Sequence, residues 1–257
     1  MKLLIKIGGT LIDNDERREA IASKIAALGA QAHQCVVVHG GGKQLSRYLD
    51  AQGIRSEFRG GLRVTPPEIM DAVLRIFAGS VNHHLVAALQ REGVKAVGLS
   101  GIDAGMVQAR QLSPELGAVG EVESVDTSLL EHLSSQGYLP VVACVAGGKN
   151  GEIYNVNADQ MAVACAADFG ADPLIFLTDV EGVLDENGQR LPRLTSAQAC
   201  DLIESGVAQG GMEAKLRAAV AGISKGIPSV RIASGASPRV LERIIEDGDI
   251  GTEINSA

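Results

Sequence analysis

The chain has 257 residues, 46% of them hydrophobic and 21% charged, with a formal net charge of −8. This composition excludes extended disorder, and the acidic balance with 3% aromatics and no Trp argues against a nucleic-acid partner, which needs basic charge and stacking platforms. The 31 glycines and the Ala-, Val-, Ile- and Leu-rich apolar content fit a sheet covered on both faces better than an all-β sandwich.

The first predicted strand is Leu3–Ile7. Lys6 interrupts its apolar run and no small-residue cleavage site follows, so it reads as a strand rather than a signal peptide. A helix is expected over Asp15–Leu28, a strand over Cys35–His39, and helices over Lys43–Ala51 and Pro67–Arg91. Ala96–Leu99 reads as a strand, and Val107–Val125, with Gly117 and Gly120, as an antiparallel hairpin. Next come a helix over Thr127–Gln136, a strand over Leu139–Val145 and a helix over Ala158–Phe169. A soft boundary falls at Gly170-Ala171-Asp172-Pro173. Beyond it a second βα series places strands at Leu174–Thr178 and Val230–Ala233, with helices at Ser196–Glu204, Met212–Lys225 and Pro238–Glu246.

This alternation predicts one α/β domain, a three-layer αβα sandwich with a mainly parallel central sheet. The longest apolar stretch noted, near Tyr138 to Ala146, is too short to span a bilayer, so no membrane partner is expected. Cys35, Cys144, Cys165 and Cys200 share no C-x-x-C spacing and read as free thiols, which predicts a cytoplasmic location.

Three glycine clusters follow strands directly: Gly8-Gly9, Gly40-Gly41-Gly42 and Gly101. In a parallel sheet, ligands bind beyond the carboxyl ends of the strands, where backbone N–H groups point outward. A single cluster is equally well a tight βα turn; three together point to an anion site. Neither common nucleotide template fits. A phosphate-binding P-loop ending at Gly42-Lys43 would need Gly at Val37 and Ser or Thr at Gln44, and the dinucleotide fingerprint would need Gly at Leu45.

Lys6 reads either as an edge-strand lysine reaching water or as a cation held beneath Gly8-Gly9. Lys215, after Gly210-Gly211, is either a solvated helix residue or a second such cation. Arg63, in Gly61-Leu62-Arg63-Val64-Thr65, has the planar fork that suits a carboxylate. Asn155, Asn157 and Asp159 alternate, which in an extended segment places all three on one face; Asn157 alone also reads as a helix N-cap. No histidine joins a cluster of metal ligands, so no metal site is predicted.

These segments, with Asp179-Val180-Glu181-Gly182-Val183 and Gly210-Gly211-Met212, resemble the amino acid kinase family over nearly the whole chain. The resemblance implies ATP-dependent phosphorylation of the γ-carboxylate of N-acetyl-L-glutamate in arginine biosynthesis, with Mg2+ carried by the nucleotide. By position it implies catalytic roles for Lys6 and Lys215, oriented by Asp159, and phosphate binding by Gly8 and Gly9. Substrate binding falls to Gly41, Gly42, Arg63, Asn155 and Asn157. Nucleotide binding falls to Thr178, Asp179, Val180, Glu181, Gly182, Val183 and Leu184 with Val207, Ala208, Gln209 and Gly211. An N-terminal lobe of about 1–171 would hold the acid, and a C-terminal lobe of about 172–257 the nucleotide.

Ahead of Lys215, where the family often has an apolar-Pro pair, this chain has Glu213-Ala214. Arginine-inhibited relatives carry an extra N-terminal helix, whereas here the first strand starts at about Leu3, so an arginine-insensitive homodimer is expected. The rivals are a kinase of the same fold acting on aspartate, free glutamate, aminoadipate or a nucleoside monophosphate, a non-catalytic sensor of acyl amino acids, and a generic α/β binding domain. The two lysines and the Gly61–Thr65 motif weigh against them.

Overall fold

The computed structural model describes residues 1–28, 33–246 and 248–256. In chain order the elements begin β1 (Lys2–Ile7), α1 (Asp15–Leu28), β2 (Gln34–His39), α2 (Gly42–Ala51), β3 (Phe58–Arg59) and β4 (Leu62–Arg63). Next are α3 (Pro67–Val73) and α4 (Asn82–Arg91), joined through a π-helical stretch Leu74–Val81, then β5 (Ala96–Ser100), β6 (Val107–Gln111) and β7 (Val119–Val125). They continue with α5 (Ser128–Ser135), β8 (Leu139–Ala143), β9 (Val145–Gly147), β10 (Ile153–Val156), α6 (Ala158–Phe169) and β11 (Leu174–Thr178). The last are β12 (Arg193–Thr195), α7 (Ser196–Glu204), α8 (Gly210–Ser224), β13 (Val230–Ser234), α9 (Val240–Ile245) and β14 (Thr252–Asn255).

Eight strands form the central sheet in the order β12-β14-β13-β11-β1-β2-β8-β5. Its parallel heart, β13-β11-β1-β2-β8-β5, consists of the six strands expected from the sequence, and β14 runs antiparallel to β13. Helices cover both faces, so the chain is a three-layer α/β sandwich with a mainly parallel sheet. The side chains of β1 alternate between two cores: Leu3, Ile5 and Ile7 join one cluster, Leu4 the other. Lys6 therefore points to the Leu4 face, the face that α6 packs against.

Two expectations need correction. The apolar run Leu139–Val145 is not one strand: β8 ends at Ala143, and Val145 begins β9, which pairs with β10 and β6 instead. Hydrophobicity continues through Cys144, so pattern alone does not mark where the chain changes sheets. With the hairpin β6–β7, strands β9 and β10 close a small barrel. Second, Tyr138–Ala146 is an unbroken apolar run, but it is not the segment nearest in length to a membrane span. The helical run Pro67–Arg91 has 25 residues and an apolar window of mean hydropathy 1.3; Ile69, Val73, Phe77, Leu85 and Leu89 on it are buried in the protein core.

Helix α7 starts with a complete capping box. The Thr195 hydroxyl accepts from the Gln198 N–H while the Gln198 side chain accepts from the Thr195 N–H. Replacing Thr195 by Ala removes one of these bonds, and urea unfolding should show a loss of about 1 kcal/mol, with the slope unchanged.

Candidate active site

Lys6 lies in β1 between β11 and β2, far from either sheet edge, which excludes the edge-strand reading. It is 7% exposed. A buried ammonium is costly unless paired, and its Nζ sits 2.6 Å from Asp159 Oδ1, itself in a residue only 9% exposed. The contact is a close ion pair rather than an aligned hydrogen bond. Asp159 reaches Lys6 because α6 begins at Ala158, with Asn157 as N-cap accepting from the Asp159 and Gln160 N–H groups. The three alternating polar residues therefore do not share one extended face: Asn155 is in β10, Asn157 caps, and Asp159 is in the first helical turn.

Above this pair opens a cavity of about 440 Å³ lined by Lys6, Gly8, Gly9, Gly41, Gly42, Lys43, Arg63, Thr178, Asp179 and Lys215 among others. Lys215 is half-buried on α8, and its ammonium donates to the Gly211 carbonyl at 3.2 Å. Burial holds its pKa below the usual lysine range, Asp159 and Asp179 oppose that shift, and the charge of Lys6 adds to it. The two lysines are thus electrostatic neighbours from opposite ends of the chain. Glu213 does not compete for Lys215, because its carboxylate meets Arg217 one turn along at 2.9 Å. For the Asp179 carboxyl, burial alone would raise the pKa. Hydrogen bonds from its own N–H and from the Thr178 and Thr10 hydroxyls, with the charge of Lys215, outweigh it and leave the pKa low.

The glycines divide by cause. A Cβ on Gly41 would meet the Phe77 ring at 2.7 Å and one on Gly8 the Leu177 carbonyl at 3.0 Å, so packing accounts for those two. At Gly9 and Gly42 a Cβ would meet nothing within 4 Å and neither residue has positive φ, so neither packing nor backbone strain demands glycine there. Both line the cavity, where a bare backbone lets an anion approach N–H groups.

A smaller recess of about 170 Å³ adjoins the cavity, sharing Gly40 to Gly42, Phe58 and Arg63 and adding Phe77, Cys144, Asn155 and Asn157. Arg63, 8% exposed, donates to the Ser56 hydroxyl, to Ser46 Oγ at 2.7 Å and to the Gly42 carbonyl at 3.2 Å. The Phe58 ring lies over the guanidinium, 4.5 Å away. No carboxylate forms an ion pair with it among the described residues, so the positive charge is oriented by neutral groups and open to an anionic ligand. Asn155 Nδ2 donates to Thr65 Oγ1 at 3.1 Å, and that hydroxyl donates to the Arg63 carbonyl at 2.8 Å, which ties the two candidate substrate residues together.

Sequence reasoning missed Lys43, Thr10, Ser46, Ser56, Phe58 and the linking role of Thr65. None of these carried a local signal; Ser46 and Ser56 matter through Arg63. The nucleotide stretches are only partly gathered. Thr178 and Asp179 line the main cavity, Val180 and Leu184 are exposed, and Val183 is buried with its N–H bonded to Thr252 Oγ1. Glu181 accepts from the Ser237 hydroxyl, and Gly182 passes close to Thr252. Val207 lines a separate cavity of about 450 Å³ beside Leu191, Leu194 and Leu202. Ala208 is buried, Gln209 is the N-cap residue of α8, and Gly211 holds Lys215 through its carbonyl.

Residues 1–234 match the amino acid kinase family. The chain is 57% identical to an acetylglutamate kinase of Solibacter usitatus over the full length of both, and 42% identical to one of Koribacter versatilis, covering 99% of this chain and 98% of that one. Among solved structures it superposes with a TM-score of 0.84 on smu.665 from Streptococcus mutans UA159, at 28% identity and covering 100% and 99% of the two chains. It also superposes on an N-acetylglutamate synthase from Neisseria gonorrhoeae complexed with coenzyme A and N-acetyl-glutamate, with a TM-score of 0.89 at 26% identity, covering 100% of this chain and 59% of the other.

The two kinds of glycine make opposite expectations. Gly41→Ala should lower the thermal midpoint, because Phe77 must move out of a packed site. Gly42→Ala should leave the midpoint unchanged or slightly higher, since Ala favours the helix it begins, while impairing turnover through the methyl it places in the cavity.

Proposed function

The chain belongs to the amino acid kinase family, and from that premise we propose that it transfers the γ-phosphoryl group of ATP to the γ-carboxylate of N-acetyl-L-glutamate, in arginine biosynthesis. The observation that carries this reading is that Lys6 and Lys215 line one cavity, next to a recess holding an oriented arginine.

A carboxylate is ionised at neutral pH and needs no general base. One of its oxygens attacks the γ-phosphorus; the bond from that phosphorus to the β,γ-bridging oxygen breaks, and ADP leaves with the electron pair. The obstacle is repulsion between anions brought into line, so catalysis consists of positioning and charge neutralisation. Lys6 is already neutralised by Asp159, which fixes its direction at small cost to its donors. Lys215, less well compensated and partly desolvated, supplies unbalanced positive charge where the transition state gathers negative charge. Arg63 and Asn155 hold the α-carboxylate and acetamido group of the acid, while Gly41 and Gly42 offer N–H groups to its reacting carboxylate.

The donors facing the cavity are ammonium and amide groups, which fit phosphate oxygens, and no three described His, Cys, Asp or Glu residues gather to cage a metal. Mg2+ accordingly enters on the nucleotide and supplies further charge neutralisation when bound. The C-terminal lobe, about 172–257, binds that nucleotide through Thr178 to Leu184, Val207 to Gln209 and Gly211. A homodimer is supported by the half-exposed apolar side chains Leu74, Ile76 and Ala78 beside the open sheet edge of β5. Four free thiols favour a reducing, cytoplasmic setting.

With N-acetyl-L-glutamate, ATP and hydroxylamine the protein should yield the hydroxamate of an acyl phosphate, and free glutamate, aspartate or aminoadipate should yield far less; equal yields reject the substrate assignment. Lys6→Ala and Lys215→Ala should each lose about 10²–10³ in kcat, by analogy with removing one oxyanion donor, and Lys6→Ala should also be less stable because it leaves the buried Asp159 unpaired. Arg63→Ala should chiefly raise KM for the acid, because its contact is the same in ground and transition states. Activity needs Lys215 protonated and its pKa is lowered, so kcat/KM for ATP should fall on the alkaline side at a pH below that expected for an ordinary lysine. Lys215→Arg should move that limb to higher pH, and an unmoved limb removes Lys215 from the titration.

A further inference from the structure

His39 ends β2 directly before the glycines of the cavity wall and is fully buried. Its two ring nitrogens make contacts of opposite kind. Nδ1 is 2.8 Å from the Gly40 carbonyl oxygen, which can only accept, so Nδ1 carries the hydrogen. Nε2 is 3.0 Å from Asn82 Nδ2. That same amide nitrogen lies 2.9 Å from the Val141 carbonyl, which identifies it as a donor and leaves Nε2 the acceptor. Space for Asn82 exists because Gly98 faces it; a Cβ there would come within 2.1 Å of Asn82 Oδ1. Burial pushes the imidazole pKa down to about 4, against the Gly40 bond, so the ring stays neutral near pH 7.

A trans peptide aims its C=O and its N–H in opposite directions. Gly40 C=O and Gly41 N–H belong to one peptide, so holding the carbonyl against the imidazole turns the Gly41 N–H away from it. Among the described residues that N–H has no backbone acceptor, and Gly41 lines both the main cavity and the recess. We propose that His39, held from behind by Asn82, is a positioning residue that orients the Gly40–Gly41 peptide so that the Gly41 N–H donates to the reacting anionic oxygens. The role rests on the phosphoryl-transfer reading above, and it gives this histidine a function without any proton transfer.

Two substitutions separate the ring's two contacts. Asn places an amide nitrogen near the Nδ1 position and can donate to Gly40, whereas Gln reaches the Nε2 position and keeps only the Asn82 contact. His39→Asn should retain kcat within about threefold, and His39→Gln should lose about 10²-fold, with KM for N-acetyl-L-glutamate little changed in both. Equal kcat values in the two variants, or kcat values that simply follow their thermal midpoints, overturn the proposal. The 15N spectrum of the wild-type imidazole needs neither substrate nor variant: it should show a hydrogen on Nδ1 and none on Nε2. The opposite tautomer overturns the positioning role even if the hydroxamate assay succeeds, and absent hydroxamate beside the expected tautomer faults the substrate reading instead.

Discussion

The pairing of Lys6 with Asp159 is the constraint on which the rest of the site depends. A lysine in the central strand of a doubly covered sheet is largely withdrawn from water, and desolvation of its ammonium is tolerated only with an anion in contact. The anion comes from the first turn of α6, so one ion pair fixes where that helix starts above the sheet. The Asn157 cap then follows, because the first N–H groups of the helix need an acceptor and the preceding side chain provides it. The pair also distinguishes the two lysines. Lys6 is directed and neutralised by Asp159, whereas the charge of Lys215 is only partly balanced by the protein.

The same logic runs through the recess around Arg63. Arg63 is oriented by two hydroxyls, a backbone carbonyl and an aromatic face, none of which carries negative charge. A carboxylate in place of the serines would orient the guanidinium equally well and abolish its attraction for a ligand. Neutral acceptors hold direction without cancelling charge. The Asn155–Thr65–Arg63 chain of hydrogen bonds extends this by linking strand β10 to the loop after β4, so two elements ninety residues apart in sequence share one geometry.

What the sequence made legible follows from the range of the interactions involved. Most of the six parallel strands announce themselves because burial on both faces favours apolar runs, a purely local pattern, although β5 is a half-exposed edge strand and β1 and β13 carry Lys6 and Arg231. Strands β3, β4, β9, β10, β12 and β14 were not identified as separate strands: they have two to four residues, too few to show a period, and their pairing is decided by tertiary contacts. At the site, Lys6 was legible because a lysine inside an apolar strand needs a reason. Ser46 and Ser56 were not, since they matter only through Arg63, a contact no local spacing encodes. The alternation of Asn155, Asn157 and Asp159 marked a site yet suggested the wrong geometry, because it assumed extended backbone where a helix begins.

The overall charge of −8 opposes the approach of polyanions, yet the site as read here takes two anionic ligands. Distance resolves the conflict. At physiological ionic strength exposed charges are screened beyond about 8 Å, so the acidic surface contributes little inside the cavity. Among the described residues the cavity lining carries Lys6, Lys43, Arg63 and Lys215 against Asp179, with Asp159 engaged by Lys6 and Asp50 acting on Arg63, which leaves a local positive excess. The backbone adds to that excess. The amino end of α2 begins at Gly42, where a methyl group would meet no protein atom, so its N–H groups are open to an anion. Repulsion of polyanions at long range and a locally positive cavity can therefore coexist in one acidic chain, because the first is set by the surface and the second by a few ångströms of cavity wall.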